Sequence, residues 1–178
     1  RVVHELDKLG LRDDTVIVLW GDHGWQLGEH AMWCKHCNFK TSLNAPLIIS
    51  APGMKKGAVC DALVEFVDIY PTLCDLAHLK KPGHLEGDSM APLLKNPNEP
   101  WKQAVFSRFH DGQSIRTKRY LYTEWKKPGK KAYARMLYDH QTDPDENINV
   151  AEVPANAELV KSLSDKLHKG WKHFTMQR

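Results

Sequence analysis

Long apolar runs are missing from this 178-residue sequence; the longest, near 46–51, has the length of a strand and not of a membrane span. A strong charge of one sign is missing too. The 25 basic residues exceed the 22 acidic ones by only +3, which argues against nucleic acid as a partner but leaves room for a local basic site facing an acidic substrate. Cysteine is sparse: Cys34, Cys37, Cys60 and Cys74 are too few for a disulfide scaffold. Cys34-Lys35-His36-Cys37 has the form of half a zinc site, yet no second CxxC or CxxxH pair accompanies it. The plainer reading is small, partly buried side chains, with room for one disulfide. Repeats and low-complexity tracts are absent, and so is a recognisable signal peptide. The chain opens on Arg1 without an initiator Met, inside what already reads as a helix, so it is read as a piece of a longer protein.

What is present is an ordinary globular composition, 42% hydrophobic and 26% charged, on a chain long enough to bury a core and to form one domain or slightly more. Apolar residues at helical spacing over 2–9 predict a helix that Gly10 stops. A turn at Asp13-Asp14 leads to the β-branched run Thr15-Val16-Ile17-Val18-Leu19-Trp20, the pattern of a strand buried on both faces of a parallel sheet. Residues 46–50 repeat that pattern and end at Pro52-Gly53. Asp68 as N-cap and Pro71 in the first turn predict a helix to about Leu79. Proline and glycine then mark 80–100 as a surface connection, with a short helical turn over 89–94. Beyond Trp101 the texture changes. Residues 104–109, 113–117, 119–125 and 133–139 alternate with a period near 2, as an antiparallel meander does. Asp143-Pro144 signals a turn, and from Asn156 the stripe Leu159, Leu163, Leu167, Trp171 and Phe174 predicts a closing amphipathic helix. The expected class is α/β, divided into 1–100 and 101–178.

Chemistry-bearing side chains gather just after the first strand, in Gly21-Asp22-His23-Gly24-Trp25-Gln26-Leu27-Gly28-Glu29-His30. Open α/β sheets place ligands beyond the carboxyl ends of their strands. Asp22 beside His23 suits a divalent cation, or orients a water or leaving group; the competing reading is a satisfied turn. Gly21 and Gly24 permit a sharp bend and close approach of a ligand. Lys35 supplies a point charge suited to sulfate or phosphate, against the alternative of a solvated loop. Trp20, Trp25 and Trp33 weigh against a purely solvated loop, although core packing accounts for them equally well.

Trp20 to His30, then Trp33, Lys35 and Ala45-Pro46-Leu47-Ile48-Ile49, resemble the second half of type I sulfatases. The likeness is greatest to iduronate-2-sulfatases. It continues through Leu63-Val64-Glu65-Phe66-Val67-Asp68-Ile69-Tyr70-Pro71-Thr72-Leu73, Leu85-Glu86-Gly87-Asp88-Ser89, Ser114-Ile115-Arg116-Thr117, Tyr122-Thr123-Glu124-Trp125 and Leu137-Tyr138-Asp139, in order over nearly the whole chain. The resemblance implies the C-terminal portion of an alkaline-phosphatase-like sandwich, with mainly parallel strands and helices, then a small antiparallel sheet and a C-terminal helix. It implies that Asp22 and His23 ligate calcium, that Lys35 contacts sulfate, and that His30 joins Lys35 in catalysis. Trp25, Trp33 and His110 would contact a sulfated saccharide. His at position 23 replaces the Asn of many sulfatases, and imidazole suits a hard cation less well than an amide oxygen.

The family's nucleophile is a formylglycine hydrate made within Cys/Ser-x-Pro-x-Arg, and no Cys or Ser here stands in that motif. Nucleophile and remaining metal ligands are therefore expected on an N-terminal part of the same enzyme, this chain alone being inactive. Without that part its sheet would expose apolar surface. A leader in that region would direct the protein to a secreted, periplasmic or lysosomal location. Two alternatives stand beside this reading: a phosphatase or phosphodiesterase of the same superfamily, in which an Asp-His pair holds zinc, and a non-catalytic module binding sulfated glycans. Arg108, His110, Arg116, Lys118 and Arg119 either meet a uronate carboxylate or guard a sheet edge.

Overall fold

The computed structural model describes residues 1–176. In chain order these form α1 (Val2–Lys8), β1 (Ile17–Trp20), β2 (Gln26–Leu27), β3 (Trp33–Cys34), α2 (Lys40–Leu43), β4 (Leu47–Ser50), α3 (Ile69–Leu76), α4 (Ala91–Lys95), β5 (Ala104–Phe109), β6 (Gly112–Thr117), β7 (Tyr120–Trp125), β8 (Ala134–Asp139) and α5 (Ala157–Lys169). The α/β class holds, with a small antiparallel sheet and a C-terminal helix. Residues divide into two compact units: Arg1–Trp20 with Pro46–Trp101, and Gly21–Ala45 with the chain from Lys102 onward. Sequence texture, which suggests a single division near 100, does not reveal that 21–45 groups with the later residues.

In the first unit β1 and β4 pair antiparallel, from Ile17↔Ser50 to Trp20↔Leu47. This corrects the parallel arrangement expected for them. An apolar β-branched run specifies that both faces need cover, not the direction of the neighbouring strand. The cover is incomplete within this chain: Leu19 is 56%, Trp20 48% and Ile48 62% exposed. Helix α3 stops at Leu76, before the expected Leu79. His78 adopts φ 55, the left-handed position usually held by glycine, and Leu79 N–H donates to Cys74 O at 2.8 Å. His78 N–H donates to Asp75 O at 3.2 Å, which completes a Schellman stop. Asp68 stands at the N-cap of α3 but makes no side-chain cap bond to it; its Oδ2 accepts Glu65 N–H at 2.9 Å, in a capping box for the preceding turn whose N-cap is Glu65. The core gathers Ile69, Met90 and Leu93 against Leu47, Ile49, Val64, Leu73 and Trp101.

In the second unit β5, β6, β7 and β8 form an antiparallel meander in sequence order, as the alternating pattern predicts. Ala104, Ile115, Tyr122 and Leu137 project from its inner face onto Leu163 and Leu167 of α5, with Leu159 and Phe174 at the border. Burying each such leucine stabilises by about 1.5–3 kcal/mol. One buried carboxylate stitches the layers together. Glu124 Oε1 accepts Tyr122 O–H at 2.8 Å and Ser164 O–H at 2.6 Å, while Oε2 lies 2.9 Å from His168 Nε2. All four cysteines are free.

Candidate functional site

The 21–45 segment is built around one close approach. Gly24 N–H donates to Ser42 O at 2.9 Å, and a Cβ on Gly24 would lie 1.9 Å from Thr41 O and 2.6 Å from Asn44 O. Only glycine fits there. Its carbonyl takes the next bond, since His23 Nδ1 lies 2.7 Å from Gly24 O. A carbonyl can only accept, so Nδ1 carries a proton, and the neutral ring then presents a lone pair at Nε2.

Two groups meet that lone pair. Lys35 Nζ is 2.6 Å and Asp22 Oδ2 3.3 Å from His23 Nε2. The Lys35 ammonium donates to the imidazole, and the Asp22 carboxylate, whose side chain is 84% exposed, faces solvent beside it. Trp25 stacks on the His23 ring at 5.8 Å. Lys35 is delivered by the β2–β3 ladder, in which Gln26 pairs with Cys34 and Leu27 with Trp33. Residues 22, 23, 25 and 35, separate in sequence, therefore meet at one point.

The donor set fits part of a divalent-cation site. A carboxylate oxygen and an imidazole lone pair converge, and the tautomer needed for ligation is fixed from behind by the Gly24 carbonyl, as metal-bound histidines commonly are. No group of three or more His, Cys, Asp or Glu side chains able to hold a metal occurs among the described residues. The pair supplies two donors and does not enclose an ion.

His30 does not join this cluster. Its Nε2 lies 3.0 Å from Asp145 O and 3.1 Å from Glu146 O, and its Nδ1 3.2 Å from Gln26 Oε1. Its ring lies flat on Phe39 at 3.8 Å. Both ring nitrogens of His30 are thus partnered within the same unit. Trp33 stands on β3 opposite Leu27, 66% and 65% exposed respectively. His110 occupies the β5–β6 turn at φ 49. Phe109 connects it to the lysine segment, edge-on to His110 at 4.3 Å and stacked on His36 at 5.7 Å.

The basic residues of the meander are largely engaged with the fold. Arg119 pairs with Asp139 through Nε and Oδ1 at 2.8 Å, and Arg116 Nη1 lies 2.9 Å from His140 Nε2. Burial lowers the Arg116 pKa, while the nearby Glu146 carboxylate works against that shift. Three residues outside the expected site set hold the segment in place. Gln26 is fully buried and donates to Cys37 Sγ at 3.2 Å. Asn38 donates to Ser114 Oγ at 2.9 Å. Glu146, 1% exposed, accepts Lys40 N–H at 2.7 Å. Gln26, lying between two large apolar residues, carries no signal of burial; the Asp143-Pro144 turn hint lay two residues from Glu146.

Known proteins resemble nearly the whole chain. Residues 28–173 match the family described as N-sulphoglucosamine sulphohydrolase, C-terminal. A sulfatase of Formosa agariphila is 31% identical over 176 residues, 96% of this chain and 34% of its own length. Arylsulfatase K of Homo sapiens is 33% identical over 183 residues, 94% of this chain and 33% of its own length. The chain thus spans about a third of the curated relatives it matches. Among solved structures, BT4656 in complex with its substrate D-glucosamine-2-N,6-O-disulfate superposes with TM-score 0.87 at 27% identity, covering 98% of this chain and 37% of that one. A phosphonate monoester hydrolase of Silicibacter pomeroyi gives TM-score 0.87 at 29% identity, covering 98% and 38%. BT1596, a 2-O GAG sulfatase, gives 0.83 at 29%, covering 97% and 39%. On the family match and these identities, the chain belongs to the type I sulfatases, in the part represented by the N-sulphoglucosamine sulphohydrolase C-terminal region.

Proposed function

We propose that the protein to which this chain belongs hydrolyses sulfate esters on sulfated sugars of the glycosaminoglycan type, and that this chain supplies metal ligands and the sulfate-binding lysine. The observation that carries the reading is the convergence of Lys35 Nζ, at 2.6 Å, and Asp22 Oδ2, at 3.3 Å, on His23 Nε2. Asp22 Oδ2 and His23 Nε2 would hold calcium, Lys35 Nζ turning from that lone pair toward the sulfate, and the ion's role when bound is to polarise sulfate oxygens as a Lewis acid. Lys35 brings a fixed positive charge to the same place, so that charge developing on the transferring sulfuryl oxygens is met by a preorganised cation. The Gly24 carbonyl keeps His23 in the ligating tautomer. The exposed faces of Trp25 and Trp33 offer flat apolar surface to a sugar ring, and His110 stands on the Phe109 side of the same segment. The formylglycine nucleophile and the remaining ligands would lie in the rest of the enzyme, and a compartment outside the cytosol is the proposed location.

The finer reading is a 2-O-sulfated uronic acid substrate, supported by the motif likeness to iduronate-2-sulfatases. A second reading has an observation of its own. The phosphonate monoester hydrolase superposes as well as BT4656 does, both at TM-score 0.87, so a phosphonate or phosphate ester is the competing substrate. Assaying the complete enzyme on 2-O-, 6-O- and N-sulfated disaccharides and on a phenyl phosphonate, with metal content measured on the same sample, decides between them. Turnover of a sulfated disaccharide with bound calcium supports the proposal. Phosphonate turnover with zinc overturns it, and saccharide binding without turnover points to a non-catalytic relative.

A further inference from the structure

Glu146 is the most enclosed acidic side chain near the 21–45 segment. It lies in the turn after β8 at φ 60. The turn is fixed from within, since Asp143 accepts Asn147 N–H at 3.0 Å and Ile148 N–H at 2.8 Å. Glu146 Oε2 accepts the N–H of Lys40, the first residue of α2, which satisfies one of the donors a helix start leaves open. Its Oε1 holds the His140 ring at 2.5 Å, with Arg116 against the same ring. Lys40 Nζ adds a bond to Pro144 O at 3.1 Å.

The main chain of the same turn reaches the cluster by an unbroken polar route. Asp145 O and Glu146 O engage His30 Nε2, and His30 Nδ1 engages Gln26. Gln26 Nε2–H donates to Cys37 Sγ, which lies 2.9 Å from Ser42 Oγ. Ser42 O accepts Gly24 N–H, and Gly24 O holds His23 Nδ1. Gln26 and Asn38 are 0% and 1% exposed, so water cannot replace the partners that displacement would remove. His30 itself sits at φ 55 under Phe39, a conformation its surroundings must impose.

We propose that Glu146 is a positioning residue for the Asp22–His23–Lys35 cluster, anchoring the segment that carries it; the inference rests on the function proposed above. The rival account is that Glu146 only stabilises the fold. Glu124 separates the two. It is a similarly buried carboxylate of the same unit, 3% exposed, whose side chain bonds to Tyr122, Ser164 and His168 on β7 and α5.

The test uses the complete enzyme and the variants Glu146→Ala, Glu146→Gln and Glu124→Gln, each assayed well below its own melting temperature. Glu146→Ala is expected to lower kcat about 10²-fold, the scale of a small misplacement of reacting groups. Glu146→Gln, which keeps an acceptor for Lys40 N–H, recovers part of the loss. Glu124→Gln lowers the melting temperature and leaves kcat within about twofold of wild type. Deuterium exchange over 21–45 is read on the same proteins and should quicken in Glu146→Ala but not in Glu124→Gln. Unchanged kcat together with unchanged exchange in Glu146→Ala overturns the proposal. Should Glu146→Ala fail to fold, Glu146→Gln carries the test, with a smaller fall in kcat and quicker exchange over 21–45 expected, and both unchanged decisive against. A wild-type enzyme inactive on every sulfate ester defeats the functional reading instead, and the exchange comparison then judges the anchoring by itself.

Discussion

Lys35 Nζ lies 2.6 Å from His23 Nε2, the nitrogen whose lone pair is left free when Nδ1 donates to Gly24 O. A lysine ammonium and a candidate metal-ligating atom therefore share one point, with Asp22 beside them. Positive charge is thus concentrated where an anionic ester group would be received, and the nearby carboxylate keeps the concentration tolerable.

Removing that charge without removing the donors to the cation separates the two roles. In the complete enzyme, Lys35→Met is expected to lower kcat/KM about 10²–10³-fold, the cost of deleting one preorganised transition-state partner, while bound calcium stays near one equivalent. Steady-state kinetics with metal analysis on the same sample checks this. Loss of metal in Lys35→Met would mean that the lysine supports the ion rather than the sulfate.

The converse holds for the donors. Asp22→Ala and His23→Ala each remove one proposed ligand and should weaken calcium binding at least tenfold, with activity restored in part by excess calcium. Treating the wild-type enzyme with a calcium chelator is expected to abolish turnover, and added calcium to restore it. Restoration by zinc and not by calcium would favour the phosphonate reading.

Much of this was legible in the sequence, for identifiable reasons. Asp22 and His23 could be singled out because they stand between Gly21 and Gly24 directly after an apolar strand, and Lys35 because a lysine follows in the next, tryptophan-rich segment. The meander was legible because short β-prone segments follow one another between turn residues, although β7 buries four consecutive residues, Leu121 to Glu124, and so does not alternate in burial. Strand direction was not legible: Val18 and Ile49 read the same beside a parallel or an antiparallel neighbour, and their pairing is antiparallel. The contacts of His30 were not legible for a related reason. Its partners are main-chain carbonyls at 145 and 146, and a main-chain acceptor more than a hundred residues away leaves no mark in side-chain identity. The grouping of 21–45 with the later residues depends on Asn38 and Lys40 meeting Ser114 and Glu146, contacts that no local pattern encodes.

Two buried carboxylates in the second unit should respond to pH with opposite sign. Burial pushes the Glu124 carboxyl up, but bonds from Ser164, Tyr122 and His168 outweigh it and hold the pKa below the ordinary 4.5. The charged form is favoured by folding, so its contribution is present above pH 4.5 and is lost as pH falls through the lower folded value. For Glu146 burial dominates and raises the pKa despite the Lys40 N–H and Arg116. Its contribution is present below 4.5 and declines as pH rises through the folded value. Melting temperatures of Glu124→Gln and Glu146→Gln, followed from pH 3.5 to 7 relative to wild type, should diverge accordingly. The deficit of the first grows with pH and that of the second shrinks, by a few degrees each. Parallel curves would remove this account of the two groups.

Gly24 provides the sharpest structural test of the site. A methyl group there would stand 1.9 Å from Thr41 O and 2.6 Å from Asn44 O, both main-chain atoms that cannot turn aside. Gly24→Ala must therefore move the backbone, at about 1–3 kcal/mol for an overpacked position. The movement breaks the Gly24–Ser42 bond and shifts the carbonyl that fixes His23. Gly129 is the control: it sits at φ 70 with nothing near a prospective Cβ, so Gly129→Ala strains the backbone without touching the cluster. Both variants are expected to melt earlier. Only Gly24→Ala should also lose calcium affinity and turnover, and equal activity in the two at matched stability would show that the Gly24 carbonyl does not orient the histidine.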